Sequence, residues 1–286
     1  MPELYEIHTR PDLDAPVLVV ALEGWIDAGF GAGRAVETLI AQTDGVHVAT
    51  FDADALLDFR ARRPTMHLID GVNTGLTWST TELHALRSDN GKDVLLLTGV
   101  EPDHAWHAFA DAVRDFAVEL GATMQIGFGA FPSGVPHTRP VSVSATASSD
   151  EFAASLGFTR GTVDVPAGIE AVIEQRFAEA GLPAVGVWAQ VPHYAATMRY
   201  PAASARLIEA LNQLAGTDFG IGDLPDEVVE IRERIDTLIA DNPEHVAMLR
   251  QLEMQADEST QAQITDLPSG DDLAEELQQY LREQGD

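Results

Sequence analysis

Residues 17–34 read VLVVALEGWIDAGFGAGR, and the fold class follows from this stretch. Val17 to Leu22 is a near-continuous apolar run, as a strand buried on both faces requires. Gly24, Gly29, Gly31 and Gly33 follow it and let the backbone turn tightly at the strand's carboxyl end. The segment then opens a helix, whose first amides can bind an anion. It is not a dinucleotide fingerprint, because a third glycine after Gly29 and Gly31 would have to stand where Arg34 stands. Nor is it a Walker loop, which ends Gly-Lys-Ser/Thr. Asp27 is placed to cap the helix, and Trp25 can simply pack.

Working outward, Val46–Phe51, Met66–Ile69, Val94–Leu97, Thr123–Phe128, Val141–Ala145 and Val185–Val191 are further strand candidates. Amphipathic stretches separate them. Trp106, Phe109, Val113, Phe116, Ala117 and Leu120 recur at helical steps, and Gly121 stops that helix. Residues 169–180 and 201–214 predict two more, the second with Pro201 in its first turn. Strands alternating with helices imply an α/β fold with a parallel or mixed sheet covered on both faces.

The chain has 286 residues, 45% apolar, with 46 acidic and 17 basic side chains and a net charge of −29. That charge excludes a nucleic-acid binder and docking on anionic lipid. Cysteine is absent, which removes a disulfide framework, a thiol nucleophile and a cysteine zinc site. No signal-peptide pattern is present, and the longest apolar run, Ala15–Leu22, is too short to span a bilayer. The expectation is a soluble, cytoplasmic protein with no cofactor and no metal. Residues 222–286 carry 18 acids and 4 bases, a far denser acidity than the rest. Gly220, Gly222 and Pro225 mark the change, so a main domain over 1–221 and an acidic helical extension over 222–286 are expected. Val228, Ile231, Ile235 and Leu238 form one apolar stripe in the extension, and Leu273, Leu277, Tyr280 and Leu281 another. A helix over 246–254 and a connector over 257–271 lie between. The extension reads either as a cap on the main domain or as an acidic arm for another protein.

Three further motifs are candidates for chemistry. GVEPDHAWH at 99–107 places Asp103 as an N-cap, Glu101 near a helix start, and His104 and His107 three apart. That histidine spacing lacks the i, i+4 step and adjacent glutamate of a zincin. PSGVPHTRP at 132–140 is an extended loop in which His137 and Arg139 alternate and can share a side, as an anion pocket needs. RARRP at 60–64 holds Arg60, Arg62 and Arg63 in an otherwise acidic chain, for carboxylates of a neighbouring subunit or of its own tail. No G-x-S-x-G elbow occurs, and no local pattern selects a catalytic triad.

On LEGWIDAG at 22–29, RARRP at 60–64, EPDHAWHAFADAV at 101–113, PHTRP at 136–140 and VPHYAATMRYP at 191–201, the chain resembles the actinobacterial branch of the proteasome assembly chaperone 2 family. The resemblance implies a three-layer α/β/α sandwich of the phosphorylase/hydrolase-like kind with a C-terminal helical extension. It also implies a homo-oligomer, with a trimer favoured, and protein partners such as proteasome subunits. It carries over no catalytic residues. Several eukaryotic and archaeal relatives dock on proteasomes through a C-terminal hydrophobic-Tyr-any tripeptide, a pattern from which Gln284-Gly285-Asp286 departs. The leading expectation is a non-catalytic protein-binding oligomer. Glu23, Trp25, Asp27, Arg34, Arg63, Glu101, His104, His137 and Arg139 are its candidates for a pocket or subunit contact. The alternative is a hydrolase or nucleoside-phosphorylase-like enzyme with a pocket at the strand carboxyl ends.

Overall fold

Every second residue of the 17–22 run meets a different hydrophobic layer. β2 (Val17–Glu23) sends Val17, Val19 and Ala21 into one buried cluster and Leu18 and Val20 into another. The computed structural model that shows this describes residues 4–156, 162 and 164–265. β2 sits inside an eight-stranded mixed sheet with β1 (Tyr5–Ile7), β3 (Val46–Phe51), β6 (Thr81–Arg87), β7 (Asp93–Val100), β8 (Met124–Ser133), β9 (Val143–Ala147) and β10 (Ala184–Pro192). The order is β1-β3-β6-β7-β2-β8-β10-β9, with β7, β2, β8 and β10 parallel and the outer strands antiparallel. One cluster joins α1 (Gly31–Ala41), α6 (Pro201–Ala215) and α7 (Leu224–Ala240) to the sheet; the other joins α3 (Trp106–Glu119) and α5 (Ile169–Glu179). The result is the expected three-layer α/β/α architecture. α2 (Ala53–Leu56), α4 (Asp150–Ser155) and α8 (Pro243–Thr265) complete the helices of the described residues.

The start of α1 follows from Asp27. Its carboxylate accepts from Ala32 N at 2.8 Å and Gly33 N at 3.0 Å, the cap that its position predicts. Gly29, at φ 66°, lets the chain pass so close to Tyr200 that a Cβ would lie 2.6 Å from that residue's Cβ.

Several expectations change. Asp103 does not cap α3, which starts at Trp106 behind a left-handed Ala105. Asp103 accepts instead from Asp58 N at 2.8 Å and pairs with Arg62 at 3.3 Å, so a loop contact wins over the cap. Met66–Ile69 is a strand, yet not of the main sheet. It falls within β4 (Thr65–Ile69), which pairs only with β5 (Val72–Thr77), across a turn in which Asp70 and Gly71 both have positive φ. In α7 the buried residue at the end of the stripe is Ile239, and Leu238 is exposed, because a 3.6-residue period drifts past the expected position. The expected connector is helical as far as Thr265, since residues 257–265 contain neither glycine nor proline. The stripe at 273–281 lies outside the described residues.

Candidate functional site

Two sets of candidate residues separate in space. The first gathers where β2 and β7 end. The backbone carbonyl of Glu23 accepts from Glu101 N at 2.7 Å. Glu101 Oε2 accepts in turn from Ile169 N, the first residue of α5, at 3.2 Å. Trp25 is half exposed and lies against Gly168, where a Cβ would approach its Cγ to 2.9 Å. Glu170, one residue into α5, accepts from Leu22 N at 3.3 Å. Burial pushes the Asp27 carboxyl above its ordinary range. It pushes Glu170 well above, and the charges of Asp27, Glu101 and Glu174 add to that. Glu23, Trp25, Asp27 and Glu101 therefore do come together. His104 does not join them: its imidazole is exposed and makes no hydrogen bond among the described residues. Arg63 is likewise exposed and unpaired among the described residues, and Arg62 makes the ion pair.

Glu170 packs over a glycine-floored stretch of the sheet that no sequence motif marks. Gln125, Gly127 and Gly129 on β8, and Gly186 and Trp188 on β10, occupy the alternate positions facing α5. Gln125 is fully buried, and neither polar atom of its side chain has a partner among the described residues. The buried Trp188 indole N–H likewise has no partner among the described residues. Glu174 accepts from Thr146 Oγ1 at 2.8 Å, and burial raises it too. The available signal was Gln125, Gly127 and Gly129 at alternate places in QIGFG, 125–129, a floor without an apolar side chain.

The second set is taken up by the helical extension. His137 is buried; its Nε2 lies 3.0 Å from Asp236 of α7 and its Nδ1 2.9 Å from the Tyr194 hydroxyl. Burial raises the Tyr194 phenol, with Glu253 and Asp236 adding, so it stays protonated and the Asp–His–Tyr line works as a tether. Arg139 grips Asp257 of α8 with two bonds of 2.7 and 2.8 Å, and Thr138 donates to Glu253 at 2.6 Å. Arg34 holds Glu227 of α7 at 2.5 and 3.3 Å. The acidic helices thus use the cations that the loop motifs offered for an anion. A cleft of about 510 Å³ remains beside them, lined by Arg139, Tyr200, Arg206 and Arg232.

A third feature is a bare surface. Every residue of β4 and β5 is exposed, and Met66, Leu68, Ile69, Val72 and Leu76 are each 45–63% accessible. Trp78, 46% accessible, continues the patch and packs edge-on against Phe59.

A model of the PAC2 family matches residues 21–239. The chain belongs to the PAC2 family. Both strand-end loops, the hairpin and the Arg34–Glu227 pair lie within the matched PAC2 region, and α8 follows it. No curated protein matches the chain. Among solved structures, a protein of unknown function from Mycobacterium tuberculosis, Rv2714, is 35% identical with a TM-score of 0.84, over 92% of this chain and 93% of that one. A proteasome-assembly chaperone homologue from the same organism, Rv2125, is 32% identical with a TM-score of 0.76, over 82% of this chain and 99% of its own. PbaB of Pyrococcus furiosus, an archaeal proteasome activator, shares the fold at 15% identity, with a TM-score of 0.65 over 82% of this chain and 97% of its own. No helix among the described residues is long and apolar enough to cross a membrane.

Proposed function

We propose that this PAC2 protein is a non-catalytic protein-binding subunit, working as a homo-oligomer, a trimer, with proteasome subunits as its protein partners. The β4–β5 hairpin carries this reading. A two-stranded hairpin alone is marginal in water, and here both faces carry large apolar side chains with nothing over them among the described residues. Its first occupant is a second copy. Residues 65–77 contain a single acid, Asp70, in a chain of net charge −29, so the hairpin can approach another copy without strong like-charge repulsion. At its base Arg60 and Arg63 are exposed and free of ion pairs among the described residues, which suits a neighbour's acidic surface. The kinship with a proteasome-assembly chaperone homologue supports the partner class.

The test is light scattering on the full chain and on a Leu68→Asp/Ile69→Asp variant. The expected outcome is a trimer that becomes a monomer with unchanged circular dichroism. A wild-type monomer at micromolar concentration overturns the oligomer, and failure to retain purified proteasome subunits overturns the partner.

A small-molecule site is the second reading, and Gln125 is the observation that favours it. A fully buried amide with two polar atoms unpartnered among the described residues, beside Glu170, whose pKa burial raises, is a place where a ligand's own donors and acceptors would be satisfied. Turnover in a panel of nucleosides, phosphate and esters, lost in Gln125→Leu, would favour it over the first.

A further inference from the structure

We propose that His47, Glu82 and His84 bind one divalent transition-metal ion of the zinc class on the outer face of the sheet edge. β3 and β6 run antiparallel there, with His47 opposite His84 and Thr50 opposite Glu82. In a regular strand His47 and Thr50, three residues apart, would point to opposite faces. The register shifts between His47 and Ala49, and Val48 and Ala49 are both buried in the same core cluster. That bulge brings His47 and Thr50 out together on the face away from the cluster. On β6, Leu83 and Ala85 are buried in the cluster, so the alternation puts Glu82 and His84 on that same outer face.

The donor atoms converge. His84 Nε2 lies 3.0 Å and His47 Nε2 4.0 Å from the same Glu82 oxygen. All three donor atoms fall within 4.8 Å of one another, the one such group of histidine and carboxylate donors among the described residues. Ligand bonds of about 2.0–2.2 Å in tetrahedral geometry separate donors by roughly 3.3–3.6 Å, so small side-chain rotations complete the site. The imidazoles of His47 and His84 already stack at 5.1 Å, 19° from parallel. The His8 ring lies 4.5 Å from that of His47, tilted by 48°, and Thr50 Oγ1 lies 2.9 Å from His8 Nε2 and 3.0 Å from His47 Nε2. A fourth position is therefore open to water or to His8.

The donor chemistry selects the ion. Two imidazoles and one carboxylate suit zinc and its neighbours, whereas calcium and magnesium ask for an all-oxygen shell. Glu82 has no ion-pair partner among the described residues other than these two imidazoles, so no arginine or lysine competes for it. The side chains are 19–40% exposed, open enough for an ion to enter. Bound there, the ion would cross-link β3 to β6.

The test uses the full chain stripped with a chelator, then titrated with zinc by calorimetry and with cobalt(II) by visible absorption. The expected result is one ion per chain, an intense tetrahedral cobalt band, and a higher Tm with zinc. His47→Ala and His84→Ala should each weaken binding by more than the roughly 10–100-fold typical of losing a group that only orients a ligand. Glu82→Gln keeps the side chain's shape, and it should weaken binding with the apo melt unchanged. His67→Ala, a histidine of the separate β4–β5 hairpin and outside the donor group, should bind as wild type. No tetrahedral cobalt band, or zinc binding undiminished in the His47→Ala/His84→Ala double variant, overturns the proposal and leaves the three rings as surface packing.

Discussion

Glu170 is the residue whose chemistry departs furthest from its appearance in sequence. Read along the chain, it is an acid in the first turn of a helix, where the helix dipole welcomes it. Placed over β2 and β8, it is desolvated and faces other carboxylates. Its folded pKa is raised, so burying it as the neutral acid costs nothing below the ordinary carboxylate range. A cost then grows as pH rises from that range to the folded value, at about 1.4 kcal/mol for each pH unit. Glu170→Gln can keep the bond from Leu22 N without the charge. We expect it to raise Tm at pH 7.5 and to be neutral at pH 4. Thermal melts of both proteins across that range check this, and a gap independent of pH would show that the carboxyl is not held protonated. Asp27 was legible because capping is a local rule; Glu170 was not, because its environment comes from strands some 150 residues upstream and 40 residues upstream.

At the scale of elements, the acidic helices are held by charge as well as by an apolar stripe. Leu224, Ile235 and Ile239 bury into the main core, where each aliphatic side chain stabilises by about 1.5–3 kcal/mol. Around that stripe, the Arg34 hydrogen bond lowers the pKa of Glu227, and the Arg139 hydrogen bond lowers that of Asp257. Depressed folded values mean the stabilisation is complete above the ordinary carboxylate range and is lost as pH falls through the folded values. Arg34→Ala should therefore cost on the order of 1 kcal/mol at pH 7, and that cost should shrink as pH falls towards 3, by denaturant titration at both pH values. The periodicity of α7 was readable, because a helix spaces its own buried face. Its partner was not, since nothing local says that His137 and Arg139 face acids about 100 and 118 residues later. The hairpin is the reverse case. Its turn is written locally as Asp70-Gly71 between apolar residues, while the apolar run 66–69 taken alone predicts one more strand of the sheet.

For the whole molecule the dominant long-range term is repulsion. With 46 acids against 17 bases, 29 carboxylates have no basic residue to offset them, and assembling copies concentrates that charge. Exposed ion pairs weaken in salt, but they are few beside that excess. Salt should therefore tighten the oligomer and raise Tm between about 20 and 300 mM sodium chloride, over which screening shortens from roughly 20 Å to below 10 Å. Dilution series by light scattering at both salts test it. Dissociation on adding salt would mean that interchain ion pairs, such as those we assign to Arg60 and Arg63, outweigh the net charge.

Sequence alone determined the layered α/β class, the buried central strand, the Asp27 cap and the existence of acidic helices at the end. Each of these rests on a period or a neighbour within a few residues, which physics reads locally. Only the tertiary structure decided which cations the acidic helices occupy, that Glu170 and Gln125 are buried together over Gly127, and that a bulge at Val48 lines up His47, Glu82 and His84. Those outcomes depend on strand order and register, and strand order joins residues that no local pattern connects.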